Sequence, residues 1–224
     1  MVMDIKIDDF KKVFFAKLDE FMRPLGYKYV KSKHGYILKD KNGWEILVFI
    51  LPTKWSSSIG ITTSVYAKNK NVNKLIKKIT GYSDFQIGGT LQIISKFIGL
   101  GDINKGIHSI TLHFKNADIN NTAVLWLKNF KRVGIPYIDI ITTDNHFAFN
   151  ILRQYKRSFY FPDRINNTLV LGYLLKIDKN KMLEIFKEFE NEFDSYKKET
   201  EQSDTAFDKW TSNYYKIKQK FYKE

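Results

Sequence analysis

The segment "WEILVFIL", residues 44–51, constrains this chain more than any other stretch. Successive side chains of an extended strand point to opposite faces, and here both faces are apolar. Trp44, Ile46, Val48 and Ile50 share one side, Leu47, Phe49 and Leu51 the other. Such a strand belongs inside a sheet with a layer on each face. The longest apolar runs, "ILVFIL" among them, are far too short to cross a bilayer, and the start "MVMDIKIDDFKKVF" lacks the basic and apolar regions of a signal peptide. The expectation is a cytoplasmic protein without membrane contact.

The flanking segments supply the neighbours this strand needs. Over residues 8–25, Phe10, Val13, Phe14, Leu18, Phe21, Met22 and Leu25 recur at intervals of three and four, which predicts an amphipathic helix. Asp8 or Asp9 would cap it, and Gly26, after Pro24, would stop it. The period then changes to two. "YKYVK" and "YILK" on either side of "SKHG" predict a hairpin, and "DKNG" predicts a turn into the two-faced strand. In residues 59–67, Ile59, Ile61, Thr63 and Val65 alternate with Gly60, Thr62, Ser64 and Tyr66, a strand with one wetter side. The result is a four-stranded antiparallel meander behind a helix.

Beyond it, "NVNKLIKKIT" suggests a short helix, "TLQIISKFIGL" a further apolar segment, and "GIHSITLHF", residues 106–114, a fifth strand. Helical patterns return at about 122–132, stopped by Gly134 and Pro136, and at about 145–156, capped by Thr143 or Asp144. The C-terminus is the most periodic region. Met182, Phe186, Phe189, Phe193 and Tyr196 form one stripe, and Phe207, Trp210, Tyr214, Ile217 and Phe221 a second. The two stripes either close on each other as a helical hairpin, or leave the second as an interface for another copy or partner.

These elements define an α+β fold: a mostly antiparallel sheet with an N-terminal helix, then a mainly helical second half ending in a helical hairpin. No Pro/Ser-rich linker divides the chain. The expected organisation is a single domain over 1–224, sheet-rich to about 115 and helical from about 116, the helices covering the second sheet face.

The formal charge of +13 invites a nucleic-acid partner, since lysine and arginine release counterions when they neutralise phosphates. Residues 1–80 carry 16 basic and 7 acidic groups, residues 161–224 twelve of each. The surplus therefore sits at the front. Lysine outnumbers arginine 32 to 5, and arginine is the residue that forks onto phosphate and guanine, so this surplus is the less informative kind.

Catalytic chemistry is hard to assemble. "GGTLQIISK" lacks the glycine-lysine-serine/threonine ending of a phosphate loop, and "GLGDINKG" departs from dinucleotide spacing, so no cofactor is expected. The chain has no cysteine, and His34, His108, His113 and His146 show no metal-ligand spacing. His113, beside Ser109 and Thr111, is the best polar cluster on a strand; His108 faces the core with Ile110 and Leu112. "WSSSIG" lacks the first glycine of a nucleophile elbow. Glu184, Glu188, Glu190, Glu192 and Asp194 alternate with phenylalanines and read as a solvated helix face. No catalytic or metal-binding residue is therefore assigned.

What remains is a surface. Lys31, Lys33, Tyr36, Lys54, Trp55 and Tyr66, with Lys28 and Lys39 nearby, combine positive charge with aromatic faces. That composition suits an acidic protein partner, or single-stranded nucleic acid as the alternative.

The order helix, "PLGY", basic strand, "KW" and a strand with "IGI" resembles a bacterial family known as domain of unknown function 4304. Pro24, Leu25, Gly26 and Tyr27, then Lys54 and Trp55, then Ile59, Gly60 and Ile61 carry the resemblance, with an echo in "VGIPYIDIIT", residues 133–142. It covers about residues 8–155 and implies no catalytic residues. Small bacterial proteins of comparable makeup neutralise toxins by binding them. By that analogy the leading expectation is a non-enzymatic, immunity-like protein-binding module, with nucleic-acid binding second and an unadvertised enzyme third.

Overall fold

A computed structural model describes residues 5–81, 85–100, 109–116, 118–155, 161–199 and 205–222. The fold is α+β, with an antiparallel sheet, an N-terminal helix and a helical C-terminus. The chain divides into two compact units that interleave in sequence. The first comprises Met1–Lys68 and Gln86–Thr143, the second Asn69–Phe85 and Asp144–Glu224.

The first unit opens with α1 (Ile7–Met22), which buries Phe10, Phe14, Phe15, Leu18 and Met22. Asp8 and Asp9 lie inside its first turn and do not cap it; Lys6 holds that position without a side-chain bond. The two carboxylates act instead on the positive end of the helix dipole. Val13 and Leu25, expected on the buried face, are exposed. Gly26, at φ 84°, closes the helix: its N–H donates to Arg23 O and that of Tyr27 to Met22 O. This paired arrangement requires a left-handed residue.

The meander follows as β1 (Lys28–Val30), β2 (Gly35–Lys41), β3 (Trp44–Lys54) and β4 (Ser58–Asn69). Register pairs Tyr29 with Tyr36, Tyr36 with Val48 and Ile37 with Leu47. In the first turn His34 carries the positive φ, while Gly35 is needed because a Cβ there would stand 2.0 Å from Val48 O. The far edge of β4 is shared end to end: β6 (Ser109–His113) pairs Ser58–Thr62, and β5 (Ile87–Thr90), which runs directly into α3 (Leu91–Phe97), pairs Ser64–Ala67.

Trp44, Ile46, Val48 and Ile50 of β3 are fully buried, on the same side as Ile59, Ile61, Val65 and Ala67 of β4. Fully burying each large apolar side chain contributes about 1.5–3 kcal/mol, so this face organises the unit. Tyr36 shares it and donates to Asp19 Oδ1 at 2.8 Å on α1. In α4 (Ile119–Asn129), Trp126 Nε1 donates to Thr63 Oγ1 at 2.7 Å. In α5 (Ile135–Thr143), the Tyr137 hydroxyl donates to Ile87 O at 2.7 Å.

These contacts put α1, α4 and α5 on one side of the sheet, and the expectation of a covering layer on both faces of β3 is met in full on that side and in part on the other. Leu47 and Phe49 are half-buried and Leu51 is 41% exposed. Gly134 and Pro136 do not stop the helix. A π-turn at Phe130–Gly134 leads from α4 straight into α5, whose second residue is Pro136; proline has no N–H to pair and is tolerated in a first helical turn. Gly134 admits the Phe130 ring, which stacks on Trp126 at 4.9 Å.

The second unit gathers α2 (Lys70–Thr80), α6 (Asn145–Gln154), α7 (Phe161–Leu174), α8 (Lys179–Glu199) and α9 (Thr205–Phe221). Asn69 caps α2, and Asp144, not Thr143, caps α6. Phe193 meets Phe207 and Tyr214 edge-on, so the two aromatic stripes do close on each other. Three carboxylates expected merely to be solvated clamp this unit. Glu188 pairs Arg153 of α6, Glu192 pairs buried Arg164 of α7, and Glu190 pairs Lys218 of α9 at 2.8 Å.

Candidate functional site

The topology brings three turns of the first unit to one end of its sheet. Ile50 donates to His34 O, which sets the β1–β2 turn beside the C-terminal half of β3. The β3–β4 turn, closed by Trp55 N–H to Ser58 O, follows at that end, and Ser58 pairs His113 at the end of β6. Lys31, Lys33, His34, Lys54, Trp55, His113 and Lys115 are exposed there, and the segments 30–35, 52–58 and 111–116 contain no carboxylate. Lysines packed this way raise the local potential, which falls off within about 10 Å at moderate salt.

Trp55 is 51% exposed and lies over Gly60, where a Cβ would come within 2.4 Å of the indole. Glycine thus lets the ring lie flat against the sheet. Leu47, Phe49 and Leu51 occupy the outer side of β3, with His34 edge-on to Phe49 at 6.3 Å, and Trp55, one residue past the strand, reaches the same face over Gly60. The surface is a short apolar strip ending among cationic turns. Lys54 Nζ also stands 5.7 Å above the Phe114 ring.

Not every residue expected on this surface is there. Tyr36 is removed from it: the register places its ring on the opposite, core face, where it is fully buried. Burial, then the hydrogen bond to the Asp19 carboxylate, raises its pKa well above the ordinary phenol range. Tyr66 is half-buried on β4, near the β5 pairing and away from the cationic end. Of the wetter face of β4, Thr62 is exposed and Ser64 covered.

The histidines supply no acid–base pair. Among the described residues, His34, His113 and His146 form no hydrogen bond or ion pair with a carboxylate through their rings, and no cluster of three potential ligands could hold a metal ion. His108 lies outside the described residues. No helix among the described residues is long and apolar enough to cross a membrane.

The stripe expected as an alternative interface, Phe207, Trp210, Tyr214, Ile217 and Phe221, is corrected as well. Phe207, Tyr214 and Ile217 are buried within the chain, and Trp210 and Phe221 are half-buried. Tyr214 donates to Glu190 Oε1 at 3.0 Å, so its hydroxyl is committed internally.

Sequence reasoning missed the second unit's own concavity. Two clefts of about 520 Å³ each flank the Tyr173–Phe221 pair, whose rings stack at 4.0 Å. Lys176, Lys179 and Lys218 line one, and Lys78, Lys216 and Lys220 the other. The one sequence signal was lysine alternating with aromatic residues in "YYKIKQKFYK".

The class these features define is an α+β protein with a cationic sheet end and lysine-lined clefts between helices. No protein-family model, curated protein or solved structure matches the chain.

Proposed function

We infer that the first unit is a protein-binding module whose cationic sheet end receives a partner with an apolar patch inside an acidic rim. One observation carries the reading: the Leu47–Phe49–Leu51–Trp55 strip ends among Lys31, Lys33, Lys54 and Lys115 with no carboxylate in the three turns. An apolar centre with a charged rim is the anatomy of protein interfaces, and tryptophan is a frequent energetic anchor there. Single-stranded nucleic acid wants several exposed rings in succession, and burial of Tyr36 leaves Trp55 without a second platform beside it. An acidic effector neutralised by stoichiometric binding is the form this function takes in an immunity-like protein.

The test is cross-linking of the full chain in lysate of its native host, followed by mass spectrometry. Wild type is expected to capture one acidic protein stoichiometrically. Trp55→Ala and the triple change Lys31→Glu, Lys33→Glu, Lys54→Glu should lose it, while Lys74→Glu retains it. An identical catch from all variants, or none from wild type, overturns the reading. Salt-sensitive retardation of single-stranded DNA or RNA that the triple change abolishes would transfer it to nucleic acid.

A further inference from the structure

The first of the second unit's clefts has the dimensions of a small-molecule site, for which about 300–1,000 Å³ is usual. It opens where the end of α7, the start of α8 and the end of α9 meet, and its volume is about 520 Å³. Gly172 allows the close approach at its base: a Cβ there would stand 2.8 Å from Met182 Sδ. Tyr173, Phe186 and Phe221 supply aromatic wall.

Two of the three lysines that line this cleft stand where local structure favours something else. Lys176 N–H donates to Tyr173 O and Ile177 N–H to Gly172 O, which makes Lys176 the left-handed residue that terminates α7, at φ 51°. Glycine is the usual occupant of that position. Lys179 opens α8, where the helix dipole favours a carboxylate. The nearby carboxylate of Asp178 accepts from the N–H groups of Asn180 and Lys181 at 2.9 and 3.2 Å.

Lys218 is already engaged: its Nζ lies 2.8 Å from Glu190 and 4.9 Å above the Phe186 ring. Lys176 and Lys179 form no ion pair among the described residues. Residues that break local rules with no ion-pair partner among the described residues mark sites kept for another purpose. The cleft is apolar and aromatic within and carries two cations that form no ion pair among the described residues.

We propose that this cleft binds a small amphipathic anion, its aromatic or aliphatic body against Tyr173 and Phe186 and its single phosphate, sulfate or carboxylate held by Lys176 and Lys179. The site is independent of the sheet end and stands or falls separately. Isothermal titration of the full chain with 2-naphthyl phosphate tests it, with 2-naphthol and inorganic phosphate as the two halves of the probe.

The intact probe is expected to bind at least about tenfold tighter than either half. Lys176→Glu with Lys179→Glu should weaken it at least about tenfold, whereas Lys216→Glu with Lys220→Glu, the same charge change at the neighbouring cleft, should cost under about threefold. Equal losses from both pairs, or no advantage of the probe over its halves, overturn the proposal. Lys176→Gly guards against misfolding, because it relieves the left-handed position while removing the cation. A Lys176→Gly protein that binds 2-naphthyl phosphate as tightly as wild type also overturns it.

Discussion

Replacing Glu192 by glutamine should destabilise the protein more than replacing its partner Arg164 by methionine, and the two changes together should cost less than Glu192→Gln alone. Arg164 is 1% exposed and Glu192 19%, so the pair is unequal in its access to water. Removing the carboxylate's charge takes the nearest counter-charge from a buried guanidinium, which among the described residues keeps Leu152 O at 3.4 Å, the Phe189 ring and the charge of Glu188. Breaking a buried pair this way costs about 3–5 kcal/mol. Burial already pulls the Arg164 pKa down, and Glu192 followed by Glu188 pushes it back up, which is the same competition seen in protonation.

Arg164→Met instead fills the space with an apolar chain and frees Glu192 to turn toward solvent, at about 1–2 kcal/mol. The double change removes both charges and should fall near that lower figure. Urea unfolding followed by circular dichroism at 222 nm reads the series. With a denaturant slope of about 2 kcal/mol per molar, Glu192→Gln should lower the midpoint by about 1.5–2.5 M. Strictly additive costs, or a larger loss from Arg164→Met than from Glu192→Gln, would refute the argument that burial of the cation dominates.

The tyrosines give an alkaline counterpart. Burial raises the pKa of Tyr27, Tyr36, Tyr137, Tyr214 and Tyr222 well above the ordinary phenol value of 10.0, so below that value their contribution is fully present. Above it the unfolded chain releases protons that the folded chain keeps, and stability falls by up to about 1.4 kcal/mol per pH unit for each group. At pH 11, absorbance at 295 nm should therefore be lower for the native protein than for the urea-unfolded chain; equal absorbance would contradict the burial. Gly35→Ala drives a Cβ into the β3 backbone and should cost about 3 kcal/mol. Gly43→Ala, with nothing within 4 Å, should cost only the left-handed penalty of about 1 kcal/mol. Comparable thermal midpoints for these two variants would show that the β2–β3 approach is looser than its register implies.

The elements with a clean period were legible. The helix after Ile7, the alternation of 59–67 and the paired stripes of α8 and α9 declare which face is buried. The helix α7 was not, and its burial explains why: residues 164–172 are buried all round, polar Arg164, Asn166, Asn167 and Thr168 included, so no amphipathic period remains to be seen. The segment 135–143 was obscured by breaker residues that the structure uses inside a helical run. Of the candidate surface, Lys33 was legible in the "SKHG" turn and Trp55 in the "TKWSSS" loop, whereas Lys31, read as the end of a strand, lies in the turn and Lys54, read as loop, ends β3. The burial of Tyr36 depends on a register that composition does not encode, since one residue of slip exchanges the faces of a strand. The clefts left only the lysine–aromatic run of α9 as a sign, because each needs the end of α9 set against helices that precede it in sequence.

The interleaving of the units has a consequence for synthesis. Residues 70–80 leave the ribosome early as α2, yet Val72 and Ile76 are buried in a unit whose neighbouring helices α7 and α9 are translated far later. At about 5–20 residues per second, α2 waits on the order of ten seconds for α9. Until α7 and then α9 emerge, its greasy side lacks these native neighbours, and a chaperone or transient non-native collapse must shelter it. A chain shortened before α9 would leave α2 with α7 but without α9, which makes α9 a quality-control checkpoint for a segment made long before it.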